Sequence, residues 1–354
     1  MSDIFHDLFV LEMANNHLGK VARGLKIIHD FGRVVRYNGV HAGIKLQIRD
    51  IDSFIHKDFR DRANIRYIKK TMDTRLPREA FHAFADAIRV QGCLVMATPF
   101  DEPSVGLAGA LGCKILKLAS SDLNDWGLIE EVAKTRLPVI ASVGGSSLTD
   151  MDNLVAFFAK RDIPLALNHC VSLYPTPDED LELNQIDFMR DRYPDITIGF
   201  SSHECRDWRT SLLIAYAKGA RTFERHVDVL MDAIPISSYC SKPEQIDEWF
   251  RAHAKAKAMC GSPGTEKRIP PPEETQYLDA LVRGAYAAHA LPQGHVLQRG
   301  DLYLAIPLQK GQLSCREFLQ NEILTNPIEK DAPLTVDHIE VIPSLADSIR
   351  HRGL

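Results

Sequence analysis

Two histidines stand at matching positions in this sequence, each at the end of a short apolar segment. His203 closes residues 199–203 (GFSSH), and His226 closes residues 222–226 (TFERH). Both segments are typical of buried strands, and the stretch between them is typical of a helix. Successive parallel strands end at the same face of a sheet, about 5 Å apart when adjacent. Two imidazoles placed there could share one divalent metal ion, whereas the alternative is two ordinary buried histidines.

The elements that would position these histidines recur along the chain. Short apolar runs rich in Val, Ile and Leu predict strands that are covered on both faces, at residues 8–14, 40–47, 93–99, 115–120, 138–144, 164–170, 197–203 and 221–227. Amphipathic segments between them predict helices at 21–33, 78–90, 128–135, 148–160, 207–219 and 243–259. Eight such units in about 250 residues predict a (β/α)8 TIM barrel. An open doubly wound sheet is the alternative, but no G-x-G-x-x-G follows the first strand.

Two segments interrupt this rhythm. Residues 50–76, which follow the second strand, are rich in Arg, Lys and Asp and predict a long loop, either a lid or a solvated surface. Residues 261–274 (GSPGTEKRIPPPEE) carry a proline run that prevents a continuing helix. We therefore predict a barrel domain over 1–260, a linker over 261–282 and a small β-rich domain over 283–354. Segments 290–302 and 327–339 of that domain resemble each other weakly.

The composition excludes several classes of protein. With 354 residues, 45% of them hydrophobic, and a net charge of −5, the chain is typical of a globular protein and lacks the basic footprint of a nucleic-acid-binding protein. The first residues lack a signal-peptide pattern, and no apolar run approaches the length that spans a membrane. The seven cysteines show no C-x-x-C spacing, which favours a reduced, cytoplasmic protein.

Polar residues follow most of the predicted strands, where the active sites of such barrels lie. Lysines and hydroxyl groups suit a substrate with a phosphate and a carboxylate. The alternatives are that the lysines reach water, that the serines cap helices, that Glu224 pairs with Arg225 or a lysine, and that His169 is a core residue. The candidate residues are Glu12, Lys45, Gln47, Thr98, Lys117, Ser120, Asp122, Ser142, Ser172, Tyr174, Ser201, His203, Glu224 and His226.

These residues lie in motifs that resemble those of the sialic acid synthase (N-acetylneuraminate synthase) family, including its spore coat polysaccharide biosynthesis protein E branch. The resemblance runs from about residue 7 to residue 345, and the tail resembles the family's antifreeze-like (SAF) domain. The motifs are 12–19 (EMANNHLG), 45–47 (KLQ), 97–101 (ATPFD), 117–120 (KLAS), 142–144 (SVG), 169–177 (HCVSLYPTP), 199–203 (GFSSH) and 224–226 (ERH).

The resemblance implies a condensation in which phosphoenolpyruvate adds to the aldehyde of an amino sugar and phosphate is released. It implies a divalent metal, Mn²⁺ or Mg²⁺, on His203 and His226, and proton management by Glu12. It also implies a homodimer in which the small domain covers the partner's site. The implied anion-holding residues are Lys45, Thr98, Lys117, Ser120, Ser142 and Ser201, and those on the sugar side are Gln47, Asp122, Ser172 and Tyr174.

Four departures from the family pattern all lie on the sugar side. Ser172 stands where the family usually has Asn, Asp122 replaces Glu, Ser237 replaces Asp, and Ile306 replaces Arg. We therefore expect an acceptor other than N-acetylmannosamine, because losing a charged contact changes substrate preference. Two other functions stay open at this point: a Schiff-base aldolase with a lysine nucleophile, and a non-catalytic barrel that binds a sugar acid.

Overall fold

Eight parallel strands close into a barrel in chain order, each hydrogen-bonded to the next and the last to the first. This computed structural model describes residues 3–262, 264–317, 319, 321–340 and 349–350. The predicted (β/α)8 TIM barrel is confirmed. Its strands are β1 (Leu8–Ala14), β2 (Ala42–Ile48), β3 (Leu94–Pro99), β4 (Ile115–Leu118), β5 (Val139–Ser142), β6 (Leu165–Cys170), β7 (Thr197–Ser202) and β8 (Thr222–His226).

Helices alternate with the strands, and their apolar faces pack against the outer side of the barrel. The helices of this part of the chain are α1 (Val21–Asn38), α2 (Ile51–Phe54), α3 (Arg66–Asp73), α4 (Arg78–Val90), α5 (Glu102–Ala110), α6 (Trp126–Lys134), α7 (Leu148–Ala159), α8 (Gln185–Arg192), α9 (Trp208–Ala217) and α10 (Pro243–Cys260). The six predicted helices are present among them. The sequence pattern did not predict the other four, which are α2 and α3 in the insertion, and α5 and α8. Helices α5 and α8 are short, eight or nine residues, which leaves little periodicity to detect.

The inside of the barrel is apolar at one end and polar at the other. Alternate residues of each strand point inward. At the amino ends of the strands these are apolar and pack as one small cluster, which includes Leu8, Val10, Met96, Ile115, Ile140 and Ala166. Two residues further along a strand, the inward residue is polar: Glu12 follows Val10, and Lys117 follows Ile115. Because apolar side chains fill the barrel at the amino ends of the strands, an active site can only lie at their carboxyl ends.

The insertion at residues 50–76 is more ordered than we predicted. The prediction of a long loop is wrong, since the segment contains α2, a 3-10 turn (Lys57–Phe59) and α3. Its end packs closely against the loop after β1: a Cβ added to Gly19, which has a φ of 71°, would lie 2.9 Å from the carbonyl oxygen of Asp73. Arg49, which directly precedes the insertion, also holds it: its Nη2 donates to the hydroxyl of Tyr67 in α3, 3.1 Å away.

The chain divides into two units, Met1–Gly261 and Ser262–Leu354. In the second unit, helix α11 (Pro272–Asp279) lies within the segment predicted as a linker, and β9 (Gly284–Ala287) pairs antiparallel with β10 (Leu302–Ala305). A bridge between Leu291 and Ile328 joins the two weakly similar segments. Residues 318, 320, 341–348 and 351–354 of the predicted small domain lie outside the described residues.

The helices bear on membrane insertion, and the cysteines bear on disulfide bonding. Among the residues that the structure describes, no helix is long and apolar enough to cross a membrane. The seven cysteines are all free thiols, four of them buried.

Candidate active site at the carboxyl ends of the barrel strands

The register of the strands sets polar side chains from different strands side by side. Glu12 on β1 lies opposite Lys45 on β2 and opposite His226 on β8. Ser201 on β7 lies opposite Glu224 on β8. Paired residues of parallel strands point to the same face, so these side chains share the polar end of the barrel interior. Residues far apart in the sequence are thereby brought into one site.

Lys45 is buried among three oxygen-bearing side chains. Its ammonium donates to Thr98 Oγ1 at 2.9 Å, contacts Glu12 Oε2, and lies 3.3 Å from Glu224 Oε1. Burial lowers the pKa of Lys45 to about 8, although the negative charge of Glu224 acts in the opposite direction. The proposed alternative in which this lysine merely reaches water is wrong.

Lys117 reaches the same carboxylate from β4. Its ammonium donates to Ser142 Oγ at 2.6 Å and to the Leu118 carbonyl at 3.2 Å, and lies 3.9 Å from Glu224 Oε2. Burial acts to raise the pKa of Glu224, but the charges of Lys117 and Lys45 outweigh burial and hold it below its ordinary value. Glu224 is therefore ionised and bridges two buried ammonium groups.

The four charges of this cluster cancel one another. Lys45 and Lys117 supply two positive charges, and Glu12 and Glu224 supply two negative ones, all within buried side chains. A dianionic or trianionic ligand would compete with the carboxylates for the ammonium groups. The cluster thus suits a ligand that brings its own negative charge, and we call these four residues the charged cluster.

Small groups from β4, β5 and β6 form an open shelf beside the charged cluster. The Gly144 amide donates to Ser120 Oγ at 3.1 Å. A Cβ at Gly144 would lie 2.5 Å from Ser172 Oγ and 3.0 Å from Ser120 Oγ, so glycine keeps this space open. The Cys170 thiol, which our sequence analysis did not single out, borders the shelf, and burial raises its pKa despite the nearby charge of Lys117. Hydroxyl groups and a backbone amide here could bind phosphate or carboxylate oxygens.

The two histidines converge as their sequence positions predicted. Their ring centres are 5.3 Å apart, with His203 after β7 and His226 at the end of β8. The Nδ1 atom of His203 lies 2.9 Å from the Val171 carbonyl oxygen. A carbonyl can only accept, so Nδ1 carries the proton and Nε2 keeps a free lone pair. His169, by contrast, is a core residue whose Nε2 lies 2.7 Å from the Leu181 carbonyl.

Both histidines are in the form that binds metal ions. Burial lowers the pKa of His203 to about 4, against the effects of the Val171 carbonyl and the Glu224 charge. Burial, the neighbouring His203 and Lys45 hold the pKa of His226 well below its ordinary value. Both rings are therefore neutral at pH 7, as a metal ligand must be.

The spacing of the rings fits one shared ion. A metal about 2.1 Å from each nitrogen would lie roughly 3 Å from each ring centre, so two ligands at about 110° would place the centres about 5 Å apart. Within the described part of the chain, no group of three or more His, Cys, Asp or Glu side chains could hold a metal. The remaining positions would be filled by water or substrate oxygens, as is usual for hard cations such as Mg²⁺.

The residues predicted to face the sugar lie around the rim of this site. Asp122 Oδ1 accepts from Ser121, while its buried Oδ2 has no hydrogen-bond partner among the described residues. Gln47 Oε1 accepts from Arg49 at 3.2 Å and lines a cavity of about 610 Å³ that extends under the insertion. Tyr174 covers His203 at 4.1 Å between ring centres. The rim thus carries polar groups that are not fully satisfied, and the cavity that Gln47 borders is lined by none of the charged cluster and by neither histidine.

One residue of this rim was not foreseen. The Tyr239 ring lies 5.3 Å from those of both Tyr174 and His226, so two tyrosines flank the histidines. Ser237, the position at which the sequence departs from the family Asp, is exposed in the same loop. Tyr239 follows β8 by many residues, and only the return of this loop over the barrel brings it to the site.

The fold and these motifs match known proteins. Residues 36–263 match the NeuB family. A crystal structure of a provisionally named spore coat polysaccharide biosynthesis protein E from Chromobacterium violaceum is 36% identical, with a TM-score of 0.89 over 94% of this chain and 99% of that chain. The N-acetylneuraminate-9-phosphate synthase of Drosophila melanogaster is 26% identical over 92% of this chain and 94% of its own length. The spore coat polysaccharide biosynthesis protein SpsE of Bacillus subtilis is 23% identical over 92% and 90%.

Proposed function

Because this chain belongs to the NeuB family, we propose that it condenses phosphoenolpyruvate with an amino sugar or a related aldose and releases phosphate. The product would be a sialic-acid-like 3-deoxy-2-keto acid for surface polysaccharide biosynthesis. The observation that carries this proposal is the buried charged cluster, Glu12, Lys45, Lys117 and Glu224, facing two neutral histidines. Such a site can hold a small polyanion beside an electrophile.

The charged cluster and the shelf would bind phosphoenolpyruvate. Lys45 and Lys117 supply ammonium groups in a buried setting, where each charge interacts more strongly than in water. Thr98 and Ser142 already orient those two lysines through hydrogen bonds. Ser120 of the shelf and Ser201 on β7 add donors for the remaining anionic oxygens.

Bond formation would then follow from the order of the groups around the cluster. Carbon 3 of phosphoenolpyruvate attacks the sugar aldehyde, water adds at carbon 2, and inorganic phosphate leaves with the cleaved carbon–oxygen bond. Glu12, in contact with Lys45 and opposite His226, is placed to take or return a proton near the reacting carbons. Gln47, Asp122 and Tyr174 would bind the hydroxyl groups of the sugar.

His203 and His226 would hold a divalent ion, Mn²⁺ or Mg²⁺, which would supply Lewis acidity toward the aldehyde oxygen when bound. The contribution of the chain is to keep both rings neutral and, through the Val171 carbonyl, to hold the proton of His203 on Nδ1 so that the lone pair of Nε2 stays free. Tyr174 and Tyr239 shield the rings from bulk water.

The direct test is release of phosphate from phosphoenolpyruvate, measured with a panel of hexoses and hexosamines and Mn²⁺. We expect release with at least one acceptor, loss of release with EDTA, and a product mass equal to that of the sugar plus pyruvic acid, because water is taken up and phosphate is lost. From the departures at Ser172, Asp122, Ser237 and Ile306, N-acetylmannosamine should be a poor acceptor. Release with no sugar of the panel would favour the non-catalytic, sugar-acid-binding barrel.

A Schiff-base aldolase is the second candidate, because the lowered pKa of Lys45 is the property that a nucleophilic lysine needs. In that case borohydride should trap a covalent adduct at Lys45 or Lys117, and EDTA should leave activity intact. Under the leading proposal no adduct forms. The close contact between Lys45 and Glu12 favours the leading proposal, since it stabilises the ammonium rather than the free amine.

The resemblance also motivates a proposal about assembly and location. We propose a cytoplasmic homodimer in which the second unit, as an antifreeze-like domain, covers the site of the other subunit. Ile306, which stands where the family has Arg, is exposed on this unit. Light scattering on the full chain should give a dimer mass, and a monomer that retains full activity would contradict the arrangement.

A further inference from the structure

A second buried ion pair lies directly behind the two histidines. Glu204 follows His203, and Arg225 precedes His226. Their side chains are 0% and 1% exposed, and Arg225 Nη1 lies 3.3 Å from Glu204 Oε2. Strand alternation points Arg225 away from the barrel interior, toward the helix layer, while its neighbours Glu224 and His226 point inward. The pair therefore has no access to a substrate in the site.

Arg225 uses its whole guanidinium to join the ends of β7 and β8. Nη2 donates to the Glu204 carbonyl at 2.7 Å, and Nη1 donates to Ser202 Oγ at 3.1 Å. On the other side, Nε donates to Ser241 Oγ at 2.5 Å. A planar fork of donors fixes direction as well as distance, so it ties three backbone segments into one rigid unit.

Each of these segments carries or holds one of the histidines. Ser202 and Glu204 flank His203 in the chain. The Ser241 amide donates to the carbonyl of His226 at 2.8 Å. The carboxylate of Glu204 also accepts from Ser211 on α9, which anchors the pair to the helix layer. A change in the guanidinium would therefore alter the backbone on both sides of the metal-binding rings.

We propose that Arg225 and Glu204 are positioning residues that set the separation of His203 and His226 and thereby the affinity for the divalent ion. This inference rests on the proposed function, specifically on its metal site. The pair acts on the histidines through the backbone, whereas the two ammonium groups of the charged cluster, Lys45 and Lys117, lie on β2 and β4. We therefore expect its loss to weaken metal binding without weakening the binding of phosphoenolpyruvate.

The experiment measures Mn²⁺ binding to the metal-free full chain by electron paramagnetic resonance, without substrate or turnover. Arg225→Lys keeps the positive charge but removes the fork, and Glu204→Gln keeps the size but removes the negative charge. We expect each variant to raise the dissociation constant of Mn²⁺ about tenfold, the lower end of what loss of an outer-shell partner causes. The dissociation constant of phosphoenolpyruvate should stay within about twofold of the parent value.

Arg23 offers a matched control. It too is fully buried, with Nη2 2.7 Å from Asp228 Oδ1 and Nε 2.7 Å from the Asn16 carbonyl. Neither of these partners is directly adjacent in the chain to His203 or His226. Arg23→Lys should lower the melting temperature as Arg225→Lys does, yet leave Mn²⁺ affinity unchanged. All dissociation constants are measured below the onset of thermal unfolding, so that a loss of fold is not mistaken for a loss of metal.

Three outcomes would overturn the inference. If the folded Arg225 and Glu204 variants bind Mn²⁺ as tightly as the parent, the pair does not position the rings. If Arg23→Lys weakens Mn²⁺ binding equally, the effect is general destabilisation of the loop after β8. If the parent chain itself binds no Mn²⁺, the metal part of the proposed function fails as well, which distinguishes that failure from the other two.

Discussion

Replacing Glu224 by Gln should make the protein less stable and at the same time a better binder of phosphoenolpyruvate. The Glu224 carboxylate lies 3.3 Å from the ammonium of Lys45 and 3.9 Å from that of Lys117. At an effective dielectric constant of about 20, these separations correspond to attractions of about 5 and about 4 kcal/mol. The cost of burying the carboxylate offsets much of that, so we expect a net loss of about 3 kcal/mol. For a unit of this size the melting temperature should fall by about 6–12 °C.

The effect on the ligand has the opposite sign. The Glu224→Gln substitution would leave the cluster with two ammonium groups and one carboxylate, and so with a net positive charge. Removing a negative charge from beside a bound anion should strengthen its binding by at least about 1.4 kcal/mol, or tenfold. Phosphoenolpyruvate should also restore more of the melting temperature in the variant than in the parent, because it supplies the missing negative charge.

Calorimetric titration with phosphoenolpyruvate and thermal melts with and without it measure both effects. Glu131→Gln is the control: Glu131 pairs with Lys134 on the surface, where an ion pair contributes little, so neither quantity should change. Weaker binding of phosphoenolpyruvate by the Glu224 variant would refute the argument that Glu224 competes with the substrate for the lysines. An unchanged melting temperature would refute the bridging role itself.

Three further expectations follow from the same site. Since burial lowers the pKa of Lys45 to about 8 and its ammonium is the form that attracts phosphate, kcat/KM for phosphoenolpyruvate should fall as pH rises through about 8; an increase there would favour the Schiff-base aldolase. Lys117→Ala should raise the dissociation constant of phosphoenolpyruvate at least tenfold, and that of Mn²⁺ far less, because it leaves Ser142 without its charged partner but does not touch the histidines; calorimetry with each ligand separates the two. His226→Ala should abolish metal-dependent phosphate release while changing the melting temperature by only a few degrees, since the ring is at a strand end; full activity would contradict the metal assignment.

Local pattern was enough to predict the barrel and the strand ends that carry the site. Each strand is a short apolar run because both of its faces are covered. Such a run can be recognised from a few consecutive residues of the sequence. The same local order shows that polar residues follow the apolar ones, so the sequence alone indicates the candidates Glu12, Lys45, Lys117, His203 and His226. The helices of the insertion escaped prediction because they are short, four and eight residues, and lie in a segment dominated by charged residues. Contacts such as that of Gly19 with Asp73 hold the insertion in place.

Tertiary structure alone decided how those residues are paired. Whether Lys45 reaches water or lies against Glu12 and Glu224 depends on the closure of β8 onto β1, which joins residues about two hundred positions apart, and no local pattern reports it. The proton on His203 is set by the carbonyl of Val171, in the loop after β6, because a carbonyl can only accept. In the same way, Arg225 is an unremarkable charged residue in the sequence. Only the packing of the end of β7 and of the loop after β8 around it gives its guanidinium partners on two other segments.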